Sequence, residues 1–258
     1  MDNQNFSLEK PIVEKLYTVN VDGTNIDVPA VYDKVSATMS FFPISYKKAK
    51  HLINNERVFP VKIFPGIAIF AITVFDYKDS PAGPYREIAL SIPSTIDKEI
   101  PLLPLLADSL FGSFGFYSLL LFMDTDMGIK HSNKVYGYPV YDKKVTIDID
   151  DNEAFFKVDA HEGGAKILSI KTKKFKKYNL MKNKLYNTFF MTGNELRKVE
   201  MTVDAFLAEK NLGNGCECSF GNHEITDKYI KGLLISDKPL KYMHYSNATE
   251  ILSQPYKI

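Results

Sequence analysis

The sequence predicts a mainly-β single domain over residues 1–258, a closed or strongly curved antiparallel, barrel-like sheet with a few short helices. Three observations carry this. The dominant local period is two, the strand period. The segments between strands are written in turn residues, DSPAG, DDNE, HEGG and NLGNG. No internal repeat appears, and no linker composition separates two cores.

The elements follow in chain order. Ser45 can cap a short helix through YKKAKHLIN, whose apolar side is Ala49, Leu52 and Ile53. Val61–Tyr77 is β-branched and aromatic on both parities, as a central strand buried on both faces would be. Arg86–Ile92 reads as another strand. The apolar stretch from Ile100 to Met123 tests for a membrane span, but Pro101, Pro104, Asp108, Gly112 and Gly115 interrupt it. It reads instead as a buried loop or short helix, then a core strand from about Gly115 to Met123. Asp126 can cap a second helix through MGIKHSNKVYG, which Gly137 and Pro139 end.

Val145, Ile147 and Ile149 alternate with Thr146, Asp148 and Asp150, and Val199, Met201 and Val203 with Lys198, Glu200 and Thr202. Each set gives one apolar and one wet face. Ala154–Ala160 and Lys166–Lys171 are further strands. A third short helix can start at Thr226 or Asp227.

Composition narrows the function classes. An apolar fraction of 45% with 24% charged residues is that of a folded globular chain. Thirty-two basic against 31 acidic residues give a net charge of +1, which argues against a dedicated nucleic-acid or membrane-surface binder. Only Arg57, Arg86 and Arg197 could supply guanidinium forks. Two cysteines cannot staple a secreted fold, and MDNQNFSLEK lacks the basic and apolar run of a signal peptide, so a cytoplasmic setting is expected.

Phosphate-loop, dinucleotide-binding, serine-elbow and paired-histidine zinc motifs are absent, and no cofactor is expected. Cys216-Glu217-Cys218 with His223 nearby is the best metal candidate, yet it lacks the four ligands zinc asks for, so no metal is expected. Free cysteines packed as small apolar groups are the plainer reading. The lysine run from Lys171 to Lys184, with Phe175 and Tyr178 as stacking surfaces, can be read as an anion site. In a chain of neutral overall charge it reads more simply as a solvated hairpin.

Two segments say more. Glu87 sits in YREIALSI, and an acid entering an apolar strand must find a partner or take up a proton. The second is the passage from Gly115 to Ile149, where a strand and a capped helix lead into Gly137-Tyr138-Pro139, which turns the chain back into a strand.

At these segments the sequence resembles the acetoacetate decarboxylase-like family. Asp76-Tyr77 and Gly83-Pro84-Tyr85-Arg86-Glu87 match the family's aspartate–tyrosine stretch and the glycine turn into Tyr-x-Glu. Tyr136-Gly137-Tyr138-Pro139 matches its Gly-aromatic-Pro turn, and GNHEITDKYIKGLLISDKPLKYMHY its closing strand, helix and strand. The resemblance covers roughly residues 35 to 250.

It implies a lyase acting on a small keto acid, and a homo-oligomer. The family's chemistry uses a lysine that forms an imine, held neutral far below its usual pKa of about 10.4. Where that lysine follows the proline, this chain has Val140 and Tyr141; the family's upstream acid falls near Phe70 and its arginine near Val35. Only Glu87 transfers directly.

The candidate catalytic set is therefore Glu87 with a displaced lysine, Lys134, Lys143 or Lys144, which a bulge could bring to the pocket. Tyr85, Tyr136, Tyr138, Tyr141 and Phe70 are the candidate ligand-binding residues for a small molecule. Three readings stay open: a lyase-type enzyme, a lapsed relative binding a small apolar ligand, and an interaction protein using the 171–184 lysine run.

Overall fold

The structure is a computed structural model, and it describes residues 11–100, 114–211 and 214–258. The first described element is a hairpin, β1 (Tyr17–Val21) and β2 (Thr24–Val28), joined by an Asp22-Gly23 turn with both φ positive. A long strand β3 (Ala30–Ser45) runs into α1 (Tyr46–Ile53), where the Ser45 hydroxyl accepts from the Lys48 amide as the cap. Short strands β4 (Val58–Pro60) and β5 (Lys62–Phe64) precede β6 (Ile67–Asp79). The single strand expected over Val61–Tyr77 is thus two, because Pro65-Gly66 makes a turn, with Gly66 at φ +76°.

β7 (Tyr85–Ile96) and β8 (Gly115–Met123) follow; residues 101–113 of the apolar stretch lie outside the described residues. Next comes α2 (Asp126–His131), capped by Thr125 rather than Asp126, which continues into a π-helical turn over Ser132–Tyr136. Strands β9 (Thr146–Asp151), β10 (Phe155–Glu162) and β11 (Ala165–Lys173) lead to the long pair β12 (Asn179–Thr192) and β13 (Glu195–Asn211). The chain closes with β14 (Cys216–Phe220), α3 (Glu224–Thr226, continued by a π turn to Lys231), β15 (Lys241–Leu252) and β16 (Tyr256–Lys257). The α3 cap is His223, just upstream of the expected start.

Seven strands close a barrel in the order β7-β8-β12-β13-β15-β3-β6, with β6 pairing back to β7. All neighbours are antiparallel except β8 and β12, which run parallel at Phe116 and Tyr117. Gly115 stands at that seam, where a Cβ would come within 2.5 Å of the Asn187 carbonyl oxygen. A second sheet, β14-β11-β10-β9, lies over the barrel wall.

The two-sheet arrangement explains the doubly apolar strands. One face of β6, β7 and β8 fills the barrel interior with Phe75, Tyr85 and Leu121. The other face, carrying Phe70, Val74, Ile88 and Phe122, packs against Val145, Ile147, Phe156 and Val158 beneath the second sheet. Period two survives only where one face is wet, as on β9. The mainly-β, single-domain barrel matches the sequence expectation. Among the described residues no helix is long and apolar enough to cross a membrane.

Candidate functional site

Alternation along the barrel strands points one residue in two at a shared interior cavity. On β7 the inward positions include Tyr85, Glu87 and Ala89; on β6 they are Thr73, Phe75 and Tyr77. The two strands register Phe75 opposite Glu87. The cavity has a volume of about 80 Å³, well beyond the ~10–15 Å³ that one water needs.

Seven tyrosines contribute to its walls. Tyr77 lies 5.0 Å from Tyr32 and 4.7 Å from Tyr85, ring centre to ring centre, and Tyr138 packs at 4.3 Å on Phe190. Hydroxyl pairs fix the orientation of several rings: Tyr138 with Thr188 at 2.6 Å, Tyr186 with Tyr245 at 2.5 Å, and Tyr32 with Nε2 of His131 at 2.8 Å. His131 is fully buried on α2, and burial pushes it down to about 4, so its imidazole is neutral.

The Gly137 turn sets Tyr136 and Tyr138 into this wall. Gly137 adopts φ +78°, and its carbonyl accepts from the Thr192 hydroxyl at 2.9 Å. A Cβ there would meet the same hydroxyl at 2.9 Å, so both backbone conformation and space call for glycine.

Two acids share the cavity. Glu87 on β7 is 6% exposed and Glu250 on β15 is 1% exposed. Desolvation pushes each up to about 8, and the Glu250 charge adds to the rise at Glu87. At neutral pH both are mainly carboxylic acids, each able to donate from its O–H. Oε2 of Glu250 is buried without a hydrogen-bond partner among the described residues. A buried polar atom without a partner is costly, and such perturbed pairs concentrate where ligands bind.

Among the described residues no lysine or arginine lines the cavity. Each candidate lysine lies on the surface with a partner. Lys134 bonds Asp22 of the first hairpin at 2.6 Å, because it sits on the outer side of the π turn. Lys144 pairs with Asp126 at 3.2 Å. Lys143 reaches Glu162 at 3.5 Å and the Tyr141 hydroxyl at 3.3 Å.

Tyr141 is also outside the cavity. After Pro139 the chain runs parallel to β8, with the Leu121 amide donating to Pro139 and the Tyr141 amide donating to Leu121. That register turns the Tyr141 ring to the outer core, and its hydroxyl lies 2.6 Å from a carboxylate oxygen of each of Glu162 and Glu224, which share its one proton. Phe70 has even parity on β6, opposite to Thr73 and Phe75, and is fully buried in the outer core. The ligand-binding candidates that do line the cavity are Tyr85, Tyr136 and Tyr138, beside Glu87.

Sequence reasoning passed over Glu250, Tyr32, Tyr186 and Tyr245. Glu250 carried the same signal as Glu87, an acid before an apolar pair (Glu250-Ile251-Leu252), but the polar run Ser246-Asn247 breaks the alternation ahead of it. In the lysine run Phe175 and Tyr178 turn inward. Phe175 packs on Tyr242 with ring centres 5.1 Å apart, and the Tyr178 hydroxyl meets Nδ1 of His244 at 2.9 Å, so neither is a free stacking surface. Among the described residues no group of three or more metal-ligating side chains occurs.

No protein-family model matches the sequence, and no curated protein matches it. Solved structures do. An acetoacetate decarboxylase from Legionella pneumophila superposes with a TM-score of 0.67 at 13% identity, over 89% of this chain and 87% of that one. The enduracididine biosynthesis enzyme MppR with HEPES buffer bound gives 0.62 at 8% identity, over 98% of each chain. The same enzyme complexed with pyruvate gives 0.59 at 10% identity, over 89% of this chain and 90% of that one. The chain has the acetoacetate decarboxylase-like fold in divergent form.

Proposed function

We propose that this chain binds a small uncharged carbonyl compound in the barrel cavity and moves a proton on it, using Glu87 and Glu250 as an acid–base pair and no imine. The observation that carries the reading is the pairing of two buried, mainly protonated acids with a cavity lined, among the described residues, by no cation. A keto acid would bring its carboxylate into that low-dielectric space without a counter-charge, a desolvation cost of several kcal/mol. A neutral ketone or aldehyde avoids it.

The same contents argue against carbon–carbon cleavage as the reaction. Decarboxylation leaves an electron pair that needs a sink, and the three candidate lysines are surface residues held by Asp22, Glu162 and Asp126. Proton transfer next to a carbonyl asks less of the site. One acid donates to the carbonyl oxygen while the other, as carboxylate, takes a proton from the neighbouring carbon. As the pH approaches 8 one of the two ionises, and the repulsion between them favours the state with one group in each form over two carboxylates, so activity should rise from pH 6 toward 8. The wall of tyrosines orients the oxygen and keeps the space otherwise apolar.

The ligand class therefore differs from that of one structure this chain resembles, an enzyme holding the keto acid pyruvate. The test is α-hydrogen exchange of acetone or butanone in deuterated buffer, followed by NMR between pH 6 and 9. The wild type should accelerate exchange, and E87Q and E250Q should each slow it by about 10²-fold or more. Incubation with acetoacetate and borohydride should leave the mass unchanged; a reduced adduct on a lysine together with carbon dioxide release would overturn the proposal.

A further inference from the structure

We propose that Cys216 and Cys218 form a reversible dithiol–disulfide couple that exchanges with small-molecule disulfides, on the outer sheet and apart from the cavity. The two residues alternate on β14 with Glu217 between them, so their side chains share one face of the strand while Glu217 is exposed on the other. The sulfurs stand 3.6 Å apart, and the Cys216 sulfur lies 3.8 Å from the Ser40 hydroxyl on β3. Both thiols are free and half-buried, reachable by a small reagent but not fully in solvent. They are the two cysteines of the sequence.

The strand geometry permits closure. Two residues along a strand span roughly 6.4–6.8 Å between Cα atoms. Disulfides accept Cα separations up to about 6.8 Å and favour about 5.5–6 Å, so closure draws the two Cα atoms together by up to about 1 Å and puckers the strand. β14 can supply that pucker, since it is the last strand in the order of its sheet and pairs with β11 on one side. A metal reading of the same residues fails for want of a third ligand among the described residues.

The two thiols are unequal. The Cys216 sulfur has two hydrogen-bonding neighbours, the Cys218 thiol at 3.6 Å and the Ser40 hydroxyl at 3.8 Å, which favour its thiolate, whereas the contact with Cys216 and burial hold the Cys218 thiol above its ordinary range. Cys216 is therefore the attacking sulfur and Cys218 the resolving one. The Cys216 thiolate attacks a disulfide RS–SR, forming a Cys216–S–SR bond and releasing RS⁻. That thiolate takes the Cys218 proton. Cys218 then attacks the Cys216 sulfur and expels the second RS⁻, which takes up the proton Cys216 released on ionising. The protein pair is oxidised by two electrons, and the small disulfide is reduced to two RSH.

The experiment is intact-mass measurement of the native protein after incubation with oxidised glutathione. The wild type should lose both free thiols, gain no bound glutathione and become lighter by two hydrogens. C218S should retain one bound glutathione, and C216S should react about tenfold more slowly than C218S. A wild type that stops as a stable glutathione adduct overturns the proposal. So does one that keeps both thiols where an unfolded control is oxidised, and so does a C216S that reacts as fast as C218S. The wild-type measurement decides the couple even if a serine variant folds poorly.

Discussion

Replacing Glu250 with glutamine should remove about half of the stability that the folded protein loses between pH 6.5 and 8. Both cavity acids rise from an ordinary value of 4.5 to about 8 on folding. An acid with a raised folded pKa keeps its proton in the native state after the unfolded chain has released it. Stability therefore falls as pH rises above 4.5 and levels off beyond about 8. Two buried histidines act in the opposite sense: burial lowers His131 and His244 from 6.5 to about 4, so their contribution is present above 6.5 and lost as pH falls toward 4. Between 4.5 and 6.5 the two acids and the two imidazoles roughly cancel. Above 6.5 the acids act alone.

Two groups titrating across that upper window at about 1.4 kcal/mol per pH unit each give a loss of about 4 kcal/mol, an upper bound because some relaxation will occur. E250Q leaves one acid, and it also relieves Glu87 of its neighbour's charge, so its loss should be about 2 kcal/mol or less. Urea unfolding of both proteins at pH 5, 6, 7 and 8 measures this. A wild-type stability that is flat or rising from pH 6.5 to 8 would refute the reasoning, as would an E250Q slope equal to that of the wild type.

Two further outcomes follow from where the other candidates lie. The triple variant K134A/K143A/K144A should bind small ketones, by NMR titration, within about twofold of the wild type, because all three ammonium groups are outside the cavity and exposed. F70A should lower stability in urea by about 3–5 kcal/mol, since Phe70 is fully buried between barrel and second sheet, while ketone affinity at a fixed folded fraction stays within about twofold.

The fold class was legible because period two marks strands wherever one face meets water, as along Thr146–Asp151. Glu87 was legible because a lone acid in YREIALSI has few ways to be accommodated. Which way a doubly apolar strand faces was not. Phe70 and Thr73 lie three residues apart on β6 and so on opposite faces, but an apolar residue at almost every position conceals the parity.

Glu250 escaped for a related reason. The β3–β15 register shifts between Tyr245 and Ala248, and such an irregularity breaks the alternation by which both Tyr245 and Glu250 come to face inward. Tyr141 could not be placed without knowing that the chain after Pro139 runs beside Leu121. The walls of the cavity come from all seven barrel strands and from the turn carrying Tyr136 and Tyr138, and their meeting depends on how the sheet closes, a non-local fact that short motifs do not encode.

That closure also sets an order of events during synthesis. β3 pairs on one side with β6, which a ribosome delivers soon after it, and on the other with β15, which emerges some two hundred residues later. Until β15 arrives, a nascent sheet built from β3, β6, β7, β8, β12 and β13 has open edges at β3 and β13 and an unfilled inner face, the state in which strand proteins aggregate most readily. The cavity does not exist in that intermediate, because Glu87 is already in place and Glu250 has not been made. Refolding of the whole chain should accordingly be slow for its size, limited by zipping β15 between β3 and β13 rather than by any local turn.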